Sequence, residues 1–245
     1  MAILVTRPHP DDETTAAELR ARGFEVLLAP MLRFEPAAFH DDADAPYGAV
    51  IVTSANALRG IEPQLKGSPL LKLPLFAVGE HTAVAARSIG FEQVISAKGD
   101  AASLRELVTA GVKAKALKKT SPLLYLAGAD LARDLSGELG ERGFTVVTQT
   151  TYRMVPLSTL PYEVCDAFAA NQVEAVLHYS RRSARAFLES VRAAGVEISA
   201  LSVPQCCISA GVASVVRDAG ATQVMTAAAP DENAVLALLD RALRP

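Results

Sequence analysis

Tryptophan is absent from this 245-residue chain, and aromatic residues together make up 5% of it. A flavin-stacking electron carrier needs aromatic surfaces and a phosphate loop rich in Ser, Thr and Gly after its first strand. Thr6-Arg7-Pro8-His9-Pro10 is a poor loop of that kind. Cysteine is scarce as well: Cys165, Cys206 and Cys207 are odd in number and lack metal-ligand spacing. Reduced, buried thiols are expected rather than disulfides or zinc. Neighbours along a strand point opposite ways, so one of Cys206 and Cys207 is expected in the core. No apolar run approaches the roughly 20 residues of a membrane helix. The N-terminus enters a strand at once, without a basic leader and an apolar stretch, so no signal peptide is expected. These absences predict a cytoplasmic protein. There is no GxGxxG, GxxxxGK[ST], HExxH or paired CxxC, so neither a cofactor nor a metal is expected. Positive charge is not in excess: 24 Lys and Arg stand against 27 Asp and Glu, a formal net charge of −3. That balance argues against nucleic acid or an anionic membrane as the main partner.

What the chain does have is a repeat. Residues 3–36 (ILVTRPHPDDETTAAELRARGFEVLLAPMLRFEP) align without gaps on residues 123–156 (LLYLAGADLARDLSGELGERGFTVVTQTTYRMVP). Both read strand, loop, helix, Arg-Gly-Phe turn, strand, and both close on an Arg and a Pro three residues apart. The likeness continues between residues 49–61 and 175–187, and between residues 77–97 and 207–227. Hydrophobic residues are 50% of the chain, enough for sizeable cores. Two related units imply two lobes with a cleft between them.

The strands are short and apolar throughout: residues 3–6, 25–29, 49–53, 75–78 and 93–95, then 123–126, 145–149, 175–179, 205–208 and 223–225. Uninterrupted apolar runs predict sheets covered on both faces. Helical patterns lie between them at 14–22, 83–89, 131–142 and 184–194, stopped by Gly23, Gly90, Gly143 and Gly195. A last helix is predicted over 232–243, with Asp231 as its candidate cap. The lysine-rich segment from Gly111 to Pro122 reads as a surface connection dividing the repeats. Strand and helix in alternation make an α/β fold of two doubly wound parallel-sheet lobes. Met31–Pro36 and Thr150–Pro156 break the alternation at matching points and end on proline. Paired, they would form a two-stranded β connector.

Ligands of open α/β sheets sit beyond the carboxyl ends of the strands. Those ends carry Thr6 and Arg7; Thr53, Ser54 and Asn56; Gly79 and Thr82; Gly128 with Arg133 one turn on; Ser180, Arg181, Arg182 and Ser183; and Ser209. Any one such residue is accounted for as a helix cap. Six loops of this kind, interspersed with arginines, go beyond what folding requires. Helix N-termini present N–H groups to anions, so a large polyanion touching both lobes is the expected ligand. Arg7 and Arg133 are read equally as contacts or as solvated charges, and Tyr152 equally as packing or as function. His81 and His178 have no partner at metal or triad spacing and are taken as structural or surface residues.

With these motifs in place, the chain resembles the uroporphyrinogen-III synthase family over essentially its whole length. The resemblance rests on ILVTRP, ELRARGFEVLLAPML, IVTSANAL, FAVGEHTAVAARSIGF, YLAGADLARDLSGELGERGFTV and TYRMVP in that order and spacing. It implies a discontinuous first lobe, residues 1–31 plus 157–245, a second lobe over 36–150, and connector strands at 31–36 and 150–156. The implied substrate is hydroxymethylbilane, a linear tetrapyrrole with eight carboxylates, bound in the cleft. The implied reaction removes the terminal hydroxyl, inverts ring D through a spiro intermediate and closes the macrocycle without a cofactor. Residue by residue, the family's tyrosine acid falls on Tyr152, the threonine of its VGxxT motif on Thr82, and its strand-end serines on Ser54 and Ser180. One segment departs. Where the second repeat of the family usually reads Ile-Gly-Pro-x-Thr-Ala, this chain has Ile208-Ser209-Ala210-Gly211-Val212-Ala213. Val212 brings no hydroxyl, and Ser209 stands as the substitute candidate. The implied enzyme is a cytoplasmic monomer with at most transient contacts to adjacent pathway enzymes. The competing reading is a cytosolic two-lobed binding protein, or an inactive homologue, for a polyanionic small molecule.

Overall fold

A computed structural model describes residues 1–40, 46–97, 99–113, 117–131 and 133–243. The chain divides into two compact units. Unit 1 comprises Met1–Phe34 and Val155–Pro245, and unit 2 comprises Glu35–Met154.

Unit 1 is built on β1 (Ala2–Val5), β2 (Glu25–Leu28), β9 (Val173–His178), β10 (Gln205–Cys207) and β11 (Val224–Thr226). Their order across the sheet is β11-β10-β9-β1-β2, with all neighbours parallel. In unit 2, β4 (Ala49–Val52), β5 (Pro74–Ala77), β6 (Gln93–Ser96), β7 (Leu123–Gly128) and β8 (Val146–Pro156) take the corresponding order β6-β5-β4-β7-β8. These neighbours are also parallel. The strand β3 (Leu32–Pro36) lies beside β8 at the end of that sheet.

The apolar runs explain themselves in three dimensions. Leu4 and Val176 pack on one face of the unit 1 sheet, Ile3, Val5, Ala175 and Leu177 on the other. In unit 2, Val50 and Leu124 face one cluster while Ile51, Leu123 and Tyr125 face another. Double cover also corrects one expectation. Cys206 and Cys207 are both fully buried, because both faces of β10 are covered. Burial pushes both thiols up to about 12 and keeps them protonated.

The helices anchor at the strand ends. In unit 1 these are α1 (Asp11–Ala21), α8 (Arg181–Ala193), α10 (Ala210–Asp218) and α11 (Glu232–Ala242). In unit 2 they are α2 (Ala55–Arg59), α4 (Glu80–Ile89), α5 (Ala101–Lys113) and α6 (Leu135–Gly140). Gly90 ends α4 at φ 112°, a conformation that other residues resist. Two readings change. Gly111 belongs to α5 rather than to a surface connection, and a Cβ there would come within 3.1 Å of the Phe76 ring. Leu117 is buried too, while residues 114–116 lie outside the described residues. The helix expected from residue 131 begins at Leu135, because the Asp134 carboxylate accepts the Gly137 N–H at 2.8 Å and starts it there.

Candidate functional site

In unit 2 the chain leaves β4 toward β5 and leaves β7 toward β8, on opposite sides. The carboxyl ends of β4 and β7 are therefore a topological switch point, where such sheets open a crevice. A cavity of about 240 Å³ lies there, lined by Thr53, Ser54, Tyr125, Gly128, Arg133 and Tyr152 among others. All of these but Tyr125 are candidates from sequence.

Each is placed by a local cause. Ser54 caps α2, its hydroxyl accepting the Asn56 N–H at 3.3 Å. Asn56 turns its carboxamide oxygen to the Arg59 guanidinium, so it supports the helix start rather than the cavity. Thr53 and Tyr125 share a hydrogen bond of 3.0 Å. Burial raises the Tyr125 phenol, which stays protonated as a donor. Gly128 faces Tyr152 across the β7–β8 ladder, where the register shifts. A Cβ at Gly128 would lie 2.7 Å from the Tyr152 Cζ, so only glycine leaves room for the ring. The Ala129 N–H then holds the Tyr152 carbonyl at 2.9 Å. Arg133 pairs with Glu138, which also takes Arg105 at 2.8 Å. Those arginines hold the Glu138 carboxyl below its ordinary range, Arg133 contributing most.

The same switch point in unit 1, between β1 and β9, is filled from within. The Arg7 guanidinium stacks 4.4 Å above the Tyr179 ring and pairs with Glu232 and with Asp11 at 3.3 Å. Glu232 further accepts the Thr15 hydroxyl at 2.7 Å and the Tyr179 hydroxyl at 3.0 Å. Arg7 is thus an internal counter-ion. Thr6 is fully buried and donates its hydroxyl to the Leu177 carbonyl at 2.8 Å. Ser180 caps α8 through the Ser183 N–H at 3.0 Å, and its hydroxyl donates to that of Ser183 at 2.9 Å. Ser183 is fully buried, whereas Arg181 is exposed and reaches past Gly211. Ser209 starts α10 without a side-chain cap bond. Gly79 and Thr82, at the start of α4, stand outside the unit 2 cavity lining, and Thr82 is buried.

The only sequence signal for Tyr125 is a phenol at the third place of the apolar run LLYLAG, where a strand reading assigns it to the core. Glu232 reads from sequence only as the first residue of a helix. A groove of about 320 Å³ between the C-terminal ends of α8 and α10 is lined by exposed Arg185, Glu189, Arg192 and Asp218. It lies opposite the strand carboxyl ends, and Arg192 there already pairs with Glu197 at 2.8 Å. Among the described residues no three His, Cys, Asp or Glu side chains are grouped as metal ligands are. None of the described helices is long and apolar enough to cross a membrane.

Residues 13–237 match the family described as Uroporphyrinogen-III synthase HemD. The chain belongs to the uroporphyrinogen-III synthase family. Family membership makes it a cyclising hydro-lyase of tetrapyrrole biosynthesis. Solved structures agree on the fold. The uroporphyrinogen-III synthetase of Helicobacter pylori is 20% identical, with 99% of each chain covered and a TM-score of 0.67. A mutant uroporphyrinogen III synthase of Thermus thermophilus is 18% identical, with 99% of each chain covered and a TM-score of 0.61. A search of curated proteins finds no match.

Proposed function

We propose that the chain converts hydroxymethylbilane to uroporphyrinogen III, acting as a cytoplasmic monomer without a cofactor, and that Tyr152 is the acid of the reaction. The observation that carries the assignment of the acid is the Tyr152 phenol, laid over Gly128 beside a cavity at a switch point. The leaving hydroxyl of the substrate takes a proton from the phenol as the C–O bond breaks, and water departs. A pyrrole nitrogen supplies the electron pair, giving an azafulvene cation. Ring D then attacks that cation through its substituted carbon to form the spiro intermediate. The bond from that carbon to the methylene toward ring C breaks to give a second azafulvene cation. This is captured by the free α-carbon of ring D, whose proton is released as the ring closes inverted and replaces the one the phenol gave up. A phenol is a weak acid near neutral pH, so its proton moves late, as the oxygen gains charge. Holding the substituted carbon of ring D against the cation is a matter of positioning, which anchored substrate carboxylates supply. Thr53, Ser54 and Arg133 of unit 2 are proposed anchors, and the exposed Arg181 and the loop at Ser209 are proposed for unit 1. Adjacent pathway enzymes are proposed as transient partners only.

The test is an isomer assay. Hydroxymethylbilane is generated freshly, the protein is added, and the oxidised uroporphyrins are separated by chromatography. The free substrate closes spontaneously to isomer I, so isomer III is the expected product of catalysis. Isomer I alone from folded protein overturns the proposal.

A further inference from the structure

The helices that follow the edge strands β11 in unit 1 and β6 in unit 2 start in the same way and differ in their first residue. In unit 1, Asp231 caps α11 through the Ala234 N–H at 2.9 Å, and the next residue is Glu232. In unit 2, Asp100 caps α5 through the Ser103 N–H at 2.6 Å, and the next residue is Ala101. Glu232 reaches the unit 1 switch point and places a carboxylate among the Arg7 guanidinium and the Thr15 and Tyr179 hydroxyls. Ala101 reaches nothing and lines the unit 2 cavity instead. The groups around that cavity are of the same three kinds: the Arg133 guanidinium, the Thr53 hydroxyl and the Tyr125 phenol. Unit 1 carries its own carboxylate at this point, and unit 2 carries the donors with alanine where that carboxylate starts.

We propose that the unit 2 cavity is a carboxylate subsite, in which an acetate or propionate side chain of the substrate takes the place that Glu232 fills in unit 1. The inference rests on the reading of the chain as a synthase for a polycarboxylate tetrapyrrole. At about 240 Å³ the cavity falls below the roughly 300–1,000 Å³ of sites that enclose a whole drug-sized ligand. It suits one side chain, not the tetrapyrrole. The Thr53–Tyr125 pair uses one O–H in its mutual bond and keeps the other to donate. Arg133 adds a guanidinium, whose partner Glu138 is shared with Arg105 and whose field the Asp100 carboxylate at the start of α5 also meets. Asp130 also lines the cavity but is exposed, where water screens its repulsion.

The test installs in unit 2 the residue that unit 1 already has. Ala101→Glu should fill the cavity with a resident carboxylate and raise KM for hydroxymethylbilane about ten-fold or more, since bonds to charged groups are the strong ones. Isomer III should remain the product and the melting temperature should hold. Ala101→Gln, of equal size without charge, should raise KM less than about three-fold. A KM unchanged by Ala101→Glu, or raised equally by both variants, overturns the subsite. A measurement independent of turnover keeps the proposal testable if Ala101→Glu misfolds. Wild-type protein labelled with ¹³C at the tyrosine Cζ is titrated with sodium propionate and, separately, with propionamide. The Tyr125 resonance, assigned with Tyr125→Phe, should move with propionate and not with propionamide. No shift, or equal shifts, overturns the proposal. If the wild type makes only isomer I, the synthase reading falls while this titration still reports on the subsite.

Discussion

Unit 1 and unit 2 share one strand order and part company at corresponding positions inside it. At the switch point unit 1 closes Arg7 onto Glu232, whereas unit 2 leaves a cavity beside Tyr125 and Tyr152. In the core, unit 1 buries His178 against Gln205, where the repeat of unit 2 places Val52 and Leu75. At Gly128 unit 2 makes room for Tyr152, where unit 1 has Pro8 and a buried Leu32. Apolar strands and capped helices suffice to repeat a fold. The two units differ in a handful of side chains at strand ends.

The core difference should have the largest effect. The Gln205 amide nitrogen donates to the Ala200 and Val203 carbonyls at 2.8 and 2.9 Å. Its oxygen is therefore the atom that meets His178 Nε2 at 2.9 Å, and Nε2 carries the proton. Nδ1 is buried and has no hydrogen-bond partner among the described residues. A second proton would place an unpaired charge in the core, and burial lowers His178 from 6.5 to about 4. Between those values the unfolded chain binds the proton and the folded chain does not. Stability therefore falls as pH drops through that window, by about 3 kcal/mol at roughly 1.36 kcal/mol per pH unit. Urea unfolding near pH 7 and near pH 4.5 measures the loss. Giving unit 1 the unit 2 residues, His178→Val with Gln205→Leu, should remove most of it. An unchanged pH dependence in that double variant would assign the loss to other groups.

The next contrast lies at Gly128. Gly128→Ala drives a methyl into the Tyr152 ring, so the phenol must move. Turnover should fall about ten-fold or more while the melting temperature changes little, because misplacing a reacting group by about 1 Å is costly. Tyr152→Phe keeps the ring and removes the proton. It should slow turnover at least several-fold, toward the lower end of general acid contributions or beyond, with the fold intact. Unchanged turnover in Tyr152→Phe would reject the phenol as the acid and leave Gly128 a purely structural glycine.

These contrasts also show what a sequence can disclose. The starts of β2, β4, β6 and β7 at Glu25, Ala49, Gln93 and Leu123 agree with the apolar runs, because periodicity and glycine stops act locally. Tyr125 is illegible as a site residue, since its partner Thr53 lies 72 residues away and its own strand reads as core. Arg7 looks open to an anion because Glu232, 225 residues on, gives no sign of folding back onto it. The two stretches read as a connector, residues 31–36 and 150–156, fall on β3 and β8, neighbours in one sheet. β8 runs unbroken from Val146 to Pro156, so its connector portion continues a sheet strand. The strand expected to end at Gln149 instead runs on through the polar residues Thr150–Arg153. Gly111 misleads because it opens a lysine-rich stretch that reads as a surface connection, while the fold keeps it in α5 and uses the missing side chain to seat Phe76.

The smallest effect is expected where the two units differ by one hydroxyl. Thr82 and Val212 are each the third residue of their helix, behind Gly79 and Ser209, and both caps are extended. Their exposures, 4% and 3%, are alike, and both side chains branch at Cβ, so the two side chains are alike in shape and burial. Val212 packs with Ala184, Cys207, Ala213 and Val216, an apolar setting. Val212→Thr buries a hydroxyl there, but a helical threonine can donate to a carbonyl one turn back. The stability loss should stay under about 1 kcal/mol, and turnover should remain within about two-fold of the parent. Thr82→Val tests the opposite side, and a several-fold rise in KM is expected if its hydroxyl holds substrate. Calorimetry and steady-state kinetics on the two single variants separate the cases. Faster turnover in Val212→Thr would mean that the unit 1 loop touches substrate through a side chain, and the two units would then be functional equals at that loop instead of a hydroxyl contact and a backbone one.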